Sequence, residues 1–247
     1  MLSLPGQFNR RKTAVKAIKN VLLLAYLLAL FSTPTPSLAA PLPDESEFQL
    51  WVPILLHLPE YKNFYPVLEV QPRMGSEVRS LDQLLIRPWV DYRISEKAWV
   101  GVGYNWVTSY SPVKPVLNQN WVWQQAGYRI NRDRLRFINR FRVEERFIQN
   151  ASAMSTRLRY LTRLEYSLFK SRRWSAVLWN EIFVNPYSVK RGPVSGIDQD
   201  RIFVGLRRQV SDRSVAEIGY QTTIVNPKQP PIDRLNHALF MRLDIAF

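Results

Sequence analysis

Residues 133–147 read Asp-Arg-Leu-Arg-Phe-Ile-Asn-Arg-Phe-Arg-Val-Glu-Glu-Arg-Phe. Even positions hold Arg134, Arg136, Arg140, Arg142, Glu144 and Arg146, broken only by Ile138. Odd positions hold Leu135, Phe137, Phe141, Val143 and Phe147, with Asn139 and Glu145 among them. A pleated strand sends successive side chains to opposite faces and separates these two sets, whereas a helix would mix them. The stretch therefore predicts a long β-strand with one charged and one apolar face.

The same period-two pattern continues outward in both directions. Arg157, Arg159, Arg163 and Glu165 oppose Leu158, Tyr160, Leu164 and Tyr166; Arg201, Arg207 and Gln209 alternate with Ile202, Val204, Leu206 and Val210. Glu217, Gly219, Gln221 and Thr223 alternate with Ala216, Ile218, Tyr220 and Ile224. Toward the N-terminus, Glu69, Gln71 and Arg73 oppose Leu68 and Val70, and Gln83, Arg87 and Asp91 oppose Leu84, Ile86 and Val90. Eleven strand segments follow: 47–58, 64–73, 81–93, 97–108, 120–131, 133–148, 154–169, 174–186, 199–211, 214–226 and 234–247. Tight polar turns at 94–97, 131–134 and 211–214 contrast with longer connections at 108–118, 186–199 and 226–234. Prolines 53, 66, 72 and 88 interrupt the early strands, because proline cannot donate to a ladder. Asn139 and Asn180 fall on the apolar parity, where an amide is out of place.

The first 39 residues carry a different message. Arg10, Arg11, Lys12, Lys16 and Lys19 precede the apolar run Val21 to Phe31, and Ser37-Leu38-Ala39 supplies small residues at the −3 and −1 positions of a cleavage site. Eleven apolar residues are too few to span a bilayer as a helix and suit a signal-peptide core. The expectation is a signal peptide over 1–39, cleaved after Ala39, and one β-domain over 40–247; an uncleaved anchor helix is the alternative. The net charge of +14 falls to +9 when the leader's five cations are removed.

Alternation alone leaves open which face points inward, and a soluble sandwich or lipocalin-like barrel alternates too. Three features favour a membrane barrel. The apolar face is rich in aromatics, as interfacial girdles require, the segments exceed the usual strand length of about 5–6 residues, and an export leader is present. The C-terminus adds a fourth. Leu239, Met241, Leu243, Ile245 and Phe247 alternate to the last residue, a pattern resembling the closing-strand signal read by the barrel-assembly machinery, with Phe247 as its terminal aromatic. The expected fold is an all-β, antiparallel up-and-down transmembrane barrel in the outer membrane. Single-chain barrels of this kind have even strand numbers, so twelve strands are expected, or ten if the first segment lies outside the wall.

A charged face turned inward would line the lumen with Arg73, Arg87, Arg136, Arg140, Arg142, Arg146, Arg157, Arg159, Arg163, Arg201, Arg207 and Arg242. Against them stand Glu69, Asp91, Glu144, Glu165, Glu181, Glu217 and Asp244. Two uses of this set remain open: a lattice of Arg–carboxylate pairs filling the barrel, or a narrow porin-like channel whose excess of positive charge attracts small anionic solutes. Outer-membrane lipids are the expected surroundings in either case. The basic residues alternate with aliphatics along strands instead of clustering, which argues against nucleic-acid binding. Cysteine is absent, which excludes disulfides and thiolate metal sites. A barrel-embedded lipid-modifying enzyme would need a base, and His57, at an expected turn, and His237, on the apolar parity, are the two histidines. Neither has a Gly-x-Ser-x-Gly elbow or metal-ligand spacing, so no enzyme, cofactor or metal is expected. A surface scaffold binding through the long loops is the third reading.

Several stretches in order carry a family resemblance: the Trp51 strand, Gln83-Leu84-Leu85-Ile86-Arg87-Pro88 ending at Tyr92, and Gly101-Val102-Gly103-Tyr104. Trp123-Gln124-Gln125, Arg140 to Phe147, Arg157-Leu158-Arg159-Tyr160, Asn180-Glu181-Ile182-Phe183 and the segment from Asp198 to Arg201 continue it. Together these resemble domain of unknown function 2490, over about residues 46–247. One departure lies at Asn120 to Trp123, where the family often places a Glu-Arg pair ahead of Trp-Gln-Gln. The resemblance implies an uncharacterised outer-membrane barrel and carries no activity with it.

Overall fold

The computed structural model describes residues 46–75, 77–111, 115–225 and 234–247. The expected leader over 1–39 and the loop over 226–233 lie outside these described residues. The compact unit Pro43–Phe247 contains all of them.

Period-two sequence becomes sheet throughout. The strands are β1 (Ser46–Trp51), β2 (Ile54–His57), β3 (Phe64–Gly75), β4 (Ser80–Arg93), β5 (Ala98–Ser109), β6 (Leu117–Arg132), β7 (Leu135–Ile148), β8 (Ser155–Ser167), β9 (Trp174–Asn185), β10 (Gly196–Gln209), β11 (Ser214–Val225) and β12 (Arg234–Ala246). From β2 to β12 each strand pairs antiparallel with the next, as short hairpin connections dictate. Residues 196–198, ahead of the expected strand 199–211, belong to β10, which enters through a register shift between Ile197 and Gln199.

The barrel closes in a way the parity rule does not anticipate. β1 pairs parallel with β12 from Ser46↔Leu235 to Trp51↔Phe240, and β2 pairs parallel with β12 from Ile54↔Leu243 to Ala246↔His57, in the same register. Both also pair antiparallel with β3 in one register, Trp51↔Arg73 and Ile54↔Val70. β1 and β2 are thus two halves of a single wall strand, parted at Val52 and Pro53. Across the break Val52 N donates to Pro72 O at 3.1 Å and Leu243 N donates to Pro53 O at 3.0 Å, so the ladder is nearly continuous. The closed wall has eleven positions, one filled by two short strands. An odd number of strands running alternately up and down must bring the first and last together in the same direction, so the expected even wall of twelve or ten gives way to a parallel seam. Pro66 and Pro72 sit in β3, where their carbonyls accept from Leu58 N and Val52 N, and neither has an N–H to return the bond.

The two rims differ. Short connections gather at the rim where β2 and β12 end, and the long ones at the rim where β1 begins. Ser46 and Phe247 consequently lie at opposite rims, a direct result of the odd count. At the short-turn rim Asp133 takes φ 50° to close the connection between β6 and β7; Asp tolerates this left-handed conformation better than most residues.

Candidate functional site

Most charged side chains of the alternating strands are buried or half-buried. Glu144 is 0% exposed and forms the hub of the largest cluster. It accepts from Arg157 Nε at 2.8 Å and Nη2 at 2.6 Å, and from Arg159 Nη1 at 2.5 Å. Arg142 Nη1 lies 3.8 Å from Oε1, the oxygen that Arg159 holds. The registers Glu144↔Arg157 and Arg142↔Arg159 between β7 and β8 put these groups side by side on one pleat. Arg159 then spans to Glu181 on β9 at 2.8 Å, where Arg140 Nη2 joins at 2.8 Å. Arg157 also reaches Asp198 at 3.2 Å, an acid outside the predicted set.

A second cluster lies toward the short-turn rim. Glu165 accepts from Arg163 Nε at 2.7 Å and Arg207 Nη1 at 3.0 Å, with Arg136 at 3.8 Å. Arg163 also pairs with Glu217 across the barrel interior. Arg242 and Asp244 form a two-bond pair at 2.7 Å, and Arg87 pairs with Glu69. Guanidinium forks suit this packing because each can serve two carboxylates at once.

Four of the predicted residues stand apart from strong ion pairs. Asp91 accepts from Gln125 Nε2 at 2.6 Å and Trp89 Nε1 at 3.1 Å, and Gln125 in turn accepts from Arg142 at 2.7 Å. Arg146 donates to Asn185 at 3.0 Å. Arg73 donates to Gln83 at 2.9 Å and Gln71 at 3.3 Å, and Arg201 to Gln199 at 2.7 Å. All nineteen predicted charged residues are buried or partly buried and none is exposed.

The aromatic content of this interior departs from expectation. Aromatics were assigned to the apolar outer face, yet Trp51, Trp121, Trp123, Trp179, Phe183, Phe203 and Phe240 are buried. Trp179 stacks on Phe203 at 5.1 Å, Phe240 packs edgewise on both, and Trp51 joins the same cluster. Arg142 lies 3.7 Å over Trp123, and Arg159 and Arg201 lie 4.5 and 4.3 Å over Phe183. The parity was readable: Trp179 and Phe183 alternate in step with Glu181, and Phe203 with Arg201. Gly205 and Gly219 face one another on β10 and β11, and a Cβ on either would come within 2.5 or 2.6 Å of the Phe203 ring. Bare backbone there is what admits the ring. The outer aromatics are mostly Tyr and Phe, such as Tyr104, Phe141, Tyr160 and Tyr220.

The remaining residues singled out in the sequence fall into place locally. Asn139 accepts from Tyr160 Oη at 2.9 Å and Thr162 Oγ1 at 3.1 Å; Asn180 donates to Asp200 at 2.5 Å and Arg201 O at 3.1 Å. Both amides are thus hydrogen-bonded to neighbouring strands of the wall. His57 ends β2 instead of lying in a turn, with Nε2 2.9 Å from Asp244. His237 stacks on exposed Tyr220, whose hydroxyl meets its Nδ1. Phe247 is exposed, and its N donates to His57 O at 3.1 Å across the seam. Among the described residues no group of three His, Asp or Glu side chains could hold a metal ion.

Two cavities accompany this lattice. One of about 190 Å³ lies within the ring of strands and is bounded by Trp51, Arg73, Arg201 and the charged residues facing them. Another of about 380 Å³ opens at the short-turn rim among Arg134, Arg136, Arg172, Arg173 and Arg207.

Comparison with known proteins agrees with the run of motifs. An uncharacterized protein of Methylorubrum extorquens is 28% identical over 234 residues, covering 93% of this chain and 100% of that one. The family model described as "Protein of unknown function (DUF2490)" matches residues 48–235, which takes in the wall from β1 to the start of β12, and the chain belongs to that family.

Proposed function

We propose that the chain is an integral outer-membrane β-barrel whose lumen is closed by an arginine–carboxylate lattice, leaving at most a narrow anion-preferring passage. The observation that carries this reading is the reversed polarity of the wall. Val204 is 59% exposed and Val102 54%, while Glu144 on the opposite face is fully enclosed. In water such a barrel would bury ions at a cost of several kcal/mol each and leave its aliphatic side chains wet. In lipid the aliphatic outer face becomes favourable, because it meets hydrocarbon, and charged side chains are left the inner face, where they pair with one another. The basic leader and the terminal Phe247 fit export and recognition by the barrel-assembly machinery.

The closed lattice is favoured over a pore because most enclosed arginines already hold a carboxylate. The arginine-lined recess at the short-turn rim is the one observation that favours anion attraction. No catalytic role is assigned to His57, which is engaged by Asp244, or to His237.

Membrane fractionation with heat-dependent gel migration tests the location: a folded, detergent-extractable species in the outer-membrane fraction is expected, and a soluble periplasmic protein would overturn it. Planar-bilayer recording tests the lumen. Silence is expected, and well-resolved anion-selective conductance would replace the closed lattice with a pore.

A further inference from the structure

The 190 Å³ cavity carries charge that its own walls do not balance. Eight arginines line it against three glutamates. Arg87 is matched by Glu69, Arg140 and Arg159 by Glu181, Arg163 by Glu217 and Arg242 by Asp244, and Arg142 lies 3.8 Å from Glu144. Arg73 and Arg201 have no carboxylate within ion-pair distance among the described residues. Their contacts are neutral amides, and the Nε of each is buried without a hydrogen-bond partner. A guanidinium has five donors, and Arg201 uses one of them on Gln199.

Both cations meet on one ring. The guanidinium carbon of Arg73 lies 3.8 Å from the Trp51 centroid and that of Arg201 lies 5.0 Å from it. An aromatic face offsets part of the cost of a desolvated cation, yet it supplies neither an acceptor for the idle N–H groups nor a counter-charge. Two like charges converging on one ring from separated strands make that deficit worse. An anion in the cavity removes it, through charge-assisted hydrogen bonds to both forks.

We propose that this cavity is a binding site for a small oxyanion of the phosphate class, held between Arg73 and Arg201 against Trp51. A tetrahedral oxyanion presents acceptors in several directions and can serve two forks approaching from different strands. A carboxylate presents two oxygens in one plane; Glu144 and Glu181 serve forks from nearby strands this way, whereas Arg73 on β3 and Arg201 on β10 approach from separated strands. Two negative charges also match the two unbalanced cations. The volume accommodates an ion of this size, and the lining is charged and aromatic side chains of the inner face, so we assign the free ion as the ligand. The site rests on the proposed barrel with an enclosed charged lumen, and gives that lumen a specific occupant.

The test uses the mature chain refolded in a phosphate-free detergent. Inorganic phosphate is titrated at constant ionic strength against sodium chloride, following tryptophan fluorescence and the thermal midpoint. A saturable response to phosphate is expected, with the apparent Kd weakened about tenfold or more in Arg73→Gln and Arg201→Gln. Arg191→Gln, exposed in the connection between β9 and β10, should leave it unchanged. Absence of saturation, or equal affinity in the two cavity variants, overturns the site. Should those variants fail to refold, Trp51→Phe keeps both cations and should retain the phosphate-dependent rise in midpoint; its loss counts against the site. A short-chain phosphatidylglycerol arm separates the sources: a response to it without one to inorganic phosphate overturns the free-ion assignment. Heat-dependent gel migration reports the fold separately, so a folded barrel without phosphate response refutes the site while leaving the barrel reading intact.

Discussion

The interior holds two regions that treat the same residue type differently. Around Glu144 and Glu181, Arg157, Arg159 and Arg140 each meet a carboxylate at 2.8 Å or less. Around Trp51, by the parallel seam, Arg73 and Arg201 are held by amides and an aromatic ring. The first region comes from consecutive antiparallel strands, where register places an acid directly opposite a base. The second is assembled where chain ends meet, and the β1 half of the wall strand brings Trp51 between β3 and β12. Charge is neutralised where the ladder can align it, and left over where closure sets the neighbours.

The sharpest way to break this contrast is Glu144→Gln, which keeps the shape and takes the shared carboxylate from buried Arg157 and Arg159, leaving them Asp198 and Glu181. A loss of about 3–5 kcal/mol is expected from denaturant unfolding of the refolded protein; a change under about 1 kcal/mol would mean that the cluster is solvated and the regions are alike. Next comes Val204→Arg on the exposed face. In vesicles it should cost about 2–4 kcal/mol, whereas a near-zero cost would place that face in water and end the lipid-facing reading. Gly219→Val should cost about 1–3 kcal/mol by pushing on the Phe203 ring, with loss of near-ultraviolet aromatic dichroism as the accompanying sign. The smallest effect belongs to Arg201→Gln in phosphate-free buffer. Removing an unbalanced cation should change stability by less than about 1 kcal/mol and in the stabilising direction, opposite in sign to Glu144→Gln. A large destabilisation there would show that Arg201 has a compensating partner after all.

Much of this was legible along the chain because strand parity is local. From Asp133 to Phe147, and again at Arg157 to Tyr166, the sequence separates the enclosed side chains from the exposed ones without reference to any other strand. The same parity carried Trp179, Phe183 and Phe203 inward, although an aromatic on a barrel strand invites a girdle position. Hydropathy ranks residue types and cannot say that a ring will sit beneath a guanidinium. Asn139 and Asn180 looked out of place for a related reason: their partners, Tyr160 and Asp200, lie on neighbouring strands, and only register brings them within reach.

The sequence by itself determined the strands, their turns and which face each side chain takes, since all three follow from neighbours a few residues apart. Tertiary structure alone decided how the ring closes. The break at Val52 and Pro53, the pairing of β1 and β2 with β12, and the odd wall of eleven positions join residues nearly two hundred apart. No periodicity encodes that count. Closure requires every register around the sheet to sum to a ring, and the meeting of Arg73, Arg201 and Trp51 exists only once it has.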